Sequence, residues 1–86
     1  MSKVEREVTI KKKTGLHARP ATEFVQLAQK FTSSIYITVN DKKADAKSII
    51  KVLSLGATEG SKLRIAAEGP DAEEAVRELA VFLETA

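Results

Sequence analysis

The sequence predicts an α+β fold: a four-stranded antiparallel sheet with helices on one face, in the order β-α-β-β-α-β-α. Three observations carry this reading. Four segments alternate apolar and polar residues with the period of two expected of half-buried strands. Two longer segments carry an apolar stripe at helical spacing. The chain has only 86 residues, which leaves room for one core, so all of these elements must share it.

The elements follow in order. Val4, Arg6, Val8 and Ile10 fall on one face of a first strand, and Glu5, Glu7 and Thr9 on the other. Lys11-Lys12-Lys13-Thr14-Gly15 ends that strand in a turn. Over residues 18–31 the period changes: Ala21, Phe24, Val25, Ala28 and Phe31 form a helical stripe. Pro20 falls near its start, where a missing N–H is harmless. Glu23 in the early turns and Lys30 in the last suit the helix dipole. Thr32-Ser33-Ser34 reads as a loop.

A second strand holds Ile35, Ile37 and Val39 inward, with Tyr36 and Thr38 outward. Asn40-Asp41 suits a tight turn into a short third strand near Lys42–Ala46. Ser48 caps a short helix through Ile49, Ile50, Val52 and Leu53 that closes near Gly56. Leu63, Ile65 and Ala67 alternate with Lys62, Arg64 and Ala66 in a fourth strand. Gly69-Pro70-Asp71 opens the last helix, whose stripe is Ala72, Ala75, Val76, Leu79, Phe82 and Leu83. Asp71, Glu73 and Glu74 complement its dipole.

Composition excludes several chemistries. With no Cys there is no disulfide, thiolate metal site or cysteine nucleophile. One His cannot by itself build a zinc site. No apolar run approaches the length of a membrane span, and Met1–Arg6 lacks the apolar stretch of a signal peptide. The expectation is a single cytoplasmic domain over residues 1–86, with no membrane insertion. The net charge of +2 hides a division. Residues 1–64 hold 13 basic and 6 acidic residues; residues 65–86 hold one basic residue, Arg77, and 6 acidic ones.

The chemistry concentrates in Thr14-Gly15-Leu16-His17-Ala18-Arg19-Pro20-Ala21-Thr22. A nucleophile, a cation and the unpaired N–H groups of a helix start fall within one turn. Those N–H groups carry partial positive charge and suit a phosphate. Arg19 adds a fork of donors matched to phosphate oxygens. The positive field would stabilise a phosphoryl group once attached to His17.

Gly15-Leu16-His17-Ala18-Arg19-Pro20-Ala21 resembles the active-site signature of HPr, the histidine-containing phosphocarrier family of the bacterial phosphoenolpyruvate:sugar phosphotransferase system. Lys47-Ser48-Ile49-Ile50-Lys51-Val52-Leu53-Ser54-Leu55-Gly56 resembles the family's second signature, around its regulatory serine. The resemblance extends over essentially the whole chain. It implies an open-faced β-sandwich with three helices on one side of the sheet. It also implies that His17 is phosphorylated at Nδ1 by phospho-enzyme I and passes the group to enzyme IIA domains. By the same resemblance Arg19 assists transfer, and the Ala18 and Arg19 N–H groups hold the phosphate. No cofactor or metal is implied, and with no Walker pattern the chain needs a donor enzyme. A carrier presenting one face to several partners is expected to be a monomer.

The short helix is crowded with apolar residues. Ile49, Val52 and Leu55 (or Leu53) are expected to point inward, leaving Ile50 and one leucine outside. The resemblance makes Ile49, Ile50, Lys51, Leu53 and Ser54 part of a docking face, ringed by Lys51 and Lys11–Lys13 that steer acidic partners. Ser48 matches the serine that an ATP-dependent HPr kinase modifies in Gram-positive relatives. Ile50, Lys51 and Leu53 replace the Met, Gly and Met usual there; Lys51 resembles the enteric form and Ala18 the Gram-positive form. Two other readings compete. One is a nitrogen-type or other regulatory paralogue using the same phosphohistidine. The other is a small basic nucleic-acid-binding domain, opposed by a thin stacking inventory of Tyr36 and three phenylalanines on helix stripes.

Overall fold

Alternation decides which face of each strand meets the helices. The structure, a computed structural model, describes residues 3–86. Its elements are β1 (Lys3–Thr9), α1 (Ala18–Gln29), β2 (Ser34–Val39), β3 (Lys42–Asp45), α2 (Ile49–Ser54), β4 (Lys62–Glu68) and α3 (Ala72–Glu84). The sheet is antiparallel throughout, in the order β1-β4-β2-β3. The fold is the expected open-faced sandwich. β4 and β2 lie inside the sheet, so Leu63, Ile65, Ala67, Ile35 and Ile37 are fully buried beneath the helices. Asn40 takes a φ of 54°, the left-handed conformation that closes the β2–β3 hairpin.

Four expectations are corrected at the edges of elements. Arg6 shares the face of Val8 but is exposed, because β1 is an outer strand; its guanidinium lies 3.9 Å from Glu84 at the end of α3. α1 stops at Gln29, so Phe31 enters the core from the loop beyond the helix. Lys47 Nζ donates to its carbonyl at 2.6 Å. Glu23 lies past the first turn of α1, which has no acidic residue, and Lys30 is the C-cap. Phe82 is only half-buried; its ring lies 6.2 Å from Phe24, with the Lys12 ammonium 4.4 Å above it.

A polar clasp joins the two chain reversals on the far side. Asp71 stands at the N-cap of α3, yet its carboxylate turns away from its own helix. It accepts the Thr32 and Ser33 N–H groups, each at 2.9 Å, and the Ser33 hydroxyl. Ser33 Oγ in turn accepts the Asp71 N–H at 3.2 Å. Ser33 is 1% exposed, so this pairing satisfies a hydroxyl that would otherwise be costly to bury. Gly69 permits the approach: a Cβ there would lie 2.5 Å from Ser33 Oγ.

The Ser33 hydroxyl first, then the Thr32 N–H, hold the Asp71 carboxyl down from its ordinary 3.8 to about 2. A folded-state value below the unfolded one means the clasp contributes fully above pH 3.8 and is lost as pH falls toward 2. Asp71→Asn is therefore expected to lower the melting temperature at neutral pH and to flatten its fall between pH 4 and pH 2. Thermal melts of both proteins across that range check this.

Candidate functional site

The chain reaches the head of α1 through a turn that only glycine allows. The Gly15 N–H donates to the Lys12 carbonyl at 2.9 Å, and Gly15 has a φ of 65°. A Cβ at Gly15 would lie 2.3 Å from the Ala57 carbonyl oxygen and 2.5 Å from Thr58 Cα. The two backbones therefore touch. Leu16 follows with its N–H on the Ala57 carbonyl at 3.1 Å and its side chain fully buried. These anchors fix where the next residue begins.

That residue is His17. It is the N-cap of α1, extended at φ −131° and ψ 162°. Its side chain makes no capping hydrogen bond and is half-buried, so it keeps contact with solvent. Ala18 then adopts a φ of 55°, which costs an alanine about 1–2 kcal/mol. Pro20 is the third helical residue and has no N–H. Among the described residues, no acceptor takes the Ala18 or Arg19 N–H. Arg19 is exposed, and its guanidinium forms no ion pair among the described residues. The site thus gathers two free backbone donors, an unpaired guanidinium and an imidazole at the positive end of a helix. Chemically, this arrangement receives anionic oxygens.

α2 lies beside α1 and runs the other way. Leu16 and Gly15 join the head of α1 to the chain leaving α2, at Ala57. At the other end, Gln29 Nε2 donates to the Lys47 carbonyl at 3.1 Å, just before α2 begins. Ser48 caps α2 by accepting the Lys51 N–H at 3.4 Å. His17 and Ser48 therefore stand at opposite ends of the helix pair.

Between them α2 exposes Ile50 (75%), Leu53 (39%) and Ile49 (36%), with Lys51 and Ser54 also outside. Val52 and Leu55 turn inward. Ile49 was expected inside; it sits at the first position of α2 beside β3, the outer strand, where no further strand lies beneath it. Ser54 Oγ donates back to the Lys51 carbonyl. Sequence reasoning missed Ala57 as a member of the site. Gly15 signalled a left-handed turn, but no local pattern names the backbone it touches.

The family model described as the PTS HPr component phosphorylation site matches residues 4–85. The chain belongs to the HPr phosphocarrier family. It is 48% identical to the HPr-like protein Crh of Halalkalibacterium halodurans, over 94% of this chain and 96% of that one. The crystal structure of the phosphocarrier protein HPr from Bacillus anthracis superposes with a TM-score of 0.94 at 42% identity, covering 96% of this chain and 99% of that one. A structure of an HPr dimer from Thermoanaerobacter tengcongensis matches with a TM-score of 0.76 at 49% identity, covering 90% and 88%. HPr membership therefore does not carry the expectation of a monomer.

Gly15 and Gly56 separate backbone conformation from contact. Both have φ near 66° (65° and 67°), but a Cβ at Gly56 meets nothing within 4 Å. Gly56→Ala is expected to cost about 1–2 kcal/mol. Gly15→Ala should cost roughly 2–4 kcal/mol, because the backbones must also part. Denaturant titration of the two variants measures the difference, and the His17 ring resonances should move only in Gly15→Ala.

Proposed function

We propose that this chain is a phosphocarrier of the sugar phosphotransferase system that carries its phosphoryl group on His17. The observation that supports this most is the open imidazole at the N-cap of α1, beside the unpaired N–H groups of Ala18 and Arg19. In this reading His17 Nδ1 attacks the phosphorus of phospho-enzyme I. The new N–P bond forms as the donor's N–P bond breaks, and the electron pair returns to the donor imidazole. Transfer to an enzyme IIA domain repeats the exchange with His17 as leaving group. Charge spreads over the phosphoryl oxygens in the transition state, so positioned donors suffice. Ala18 and Arg19 supply two backbone donors, and the Arg19 guanidinium supplies mobile positive charge.

The exposed Ile49, Ile50 and Leu53, flanked by Lys51 and Ser54, are the surface we assign to both partners. The C-terminal end of α2, with Leu53 and Ser54, leads to Ala57 at the head of α1, which supports this: a partner seated there also reaches His17. Among the described residues no helix is long and apolar enough to cross a membrane, and we place the carrier in the cytoplasm with its partners.

Crh at 48% identity favours a second reading, a regulatory paralogue in the same family. There the phosphohistidine, or Ser48 modified by an HPr kinase, would report to signalling partners rather than to sugar uptake.

Incubation with enzyme I and labelled phosphoenolpyruvate is expected to add one acid-labile phosphate. His17→Ala should abolish it, and Arg19→Ala should slow transfer by roughly 10–1,000-fold. A label stable to acid, or one that survives His17→Ala, rejects the carrier reading. Acceptance of the group by sugar-type but not nitrogen-type enzyme IIA domains separates the two roles.

A further inference from the structure

The sheet face turned away from the helices takes no part in the site at the head of α1, and its charges are ordered. The strand registers set its side chains in rows. One row runs Glu7, Arg64, Thr38, Lys43; the next runs Glu5, Ala66, Tyr36, Asp45. Outer strand β1 carries Glu5 and Glu7, with the Lys3 ammonium 3.9 Å from Glu5. β4 carries Lys62 and Arg64, with Glu68 at its end, and outer strand β3 carries Lys43 and Asp45. All of these are exposed. Tyr36, 39% exposed, stands in the middle with the Lys43 ammonium 4.5 Å from its ring. Beside it a shallow depression of about 250 Å³ opens over Ala66, Ser34 and Glu68.

This mixture of signs opposes a ligand of either sign alone. It does not oppose a second copy of the same face. A two-fold axis running along the strands, between β4 and β2, lays β1 over β3 of the other copy and β4 over its β2. Glu7 then faces Lys43 of the second copy, and Lys43 faces its Glu7. Tyr36 faces Ala66 and enters the depression. Glu5 meets one like charge, Asp45, whose carboxylate is drawn along its own chain by the Lys47 N–H at 2.8 Å.

We propose that this face pairs with itself in a weak, symmetric dimer. Four strands of about six residues present a face of roughly 19 by 20 Å. Two such faces bury less than about 1,000 Å², at the low end for specific contacts, which suits a dissociation constant on the order of 1 mM. The helices of both copies face outward, so dimerisation leaves both His17 rings open.

Sedimentation equilibrium from about 50 μM to about 2 mM tests this directly. The expected result is a concentration-dependent mass that rises toward two chains and falls with added salt. Glu7→Lys and Lys43→Glu should each weaken the dimer at least tenfold, while the double variant returns to within about threefold of the parent. Tyr36→Glu, beside the axis, should abolish it independently. A single-chain mass throughout the range overturns the proposal. So does a dimer that survives both single reversals, as one built by strand exchange would, or a folded double variant that stays monomeric.

Discussion

The site depends on a contact between two stretches of backbone. Gly15 lies against Ala57 and Thr58 at a distance no side chain could share, and Leu16 completes the junction with one hydrogen bond and a buried side chain. This contact fixes the start of α1 against the chain leaving α2. It releases His17 in an extended conformation just before the first helical turn. A helix start leaves N–H groups without acceptors wherever it occurs. Here Pro20 removes one of them, and no neighbour among the described residues takes those of Ala18 and Arg19. The unmet donors are a consequence of the fold and the resource that the proposed chemistry uses.

The division of charge along the chain is also a division in space. α3, with Glu73, Glu74, Glu78 and Glu84, packs over β1 and β4 at one side of the sheet. α2 packs beside β3 and α1 at the other side, with Lys47 just before it and Lys51 on it. Lys11–Lys13 bridge the two regions. The Lys11 N–H donates to Leu83 at the end of α3, and the Lys12 ammonium sits on Phe82. Arg19, Lys47, Lys51 and Lys11–Lys13 thus lie around the helix pair that bears His17, where their charge would speed encounter with acidic partners.

The sequence made most of this legible because period and burial are local signals. Ile35, Ile37, Leu63 and Ile65 had to share a face, and the stripes of α1 and α3 had to meet it. What stayed hidden depends on position within the sheet or on distant partners. Arg6 follows the inward alternation of β1 and still reaches water, because nothing in its neighbours says that β1 is an outer strand. Ile49 matches the spacing of Val52 and Leu55 but lies beside the sheet's edge. Ser33 and Asp71 are 38 residues apart, so a loop serine and a helix cap could not be read as one clasp. The candidate site divides in the same way. His17, Arg19 and Pro20 announce it, while Ala57, which holds it in place, carries no mark of its own.

In the proposed chemistry the free donors at the head of α1 receive a phosphoryl group carried on His17. Heteronuclear NMR of the isotope-labelled protein, followed during phosphorylation by enzyme I, tests it most directly. Phosphorus coupling should appear at His17 Nδ1. The amide protons of Ala18 and Arg19 should move downfield as they take up charged acceptors, while those of β1 and β4 stay in place. Phosphorus coupled to any other residue, or Ala18 and Arg19 amides that do not move, would contradict the account.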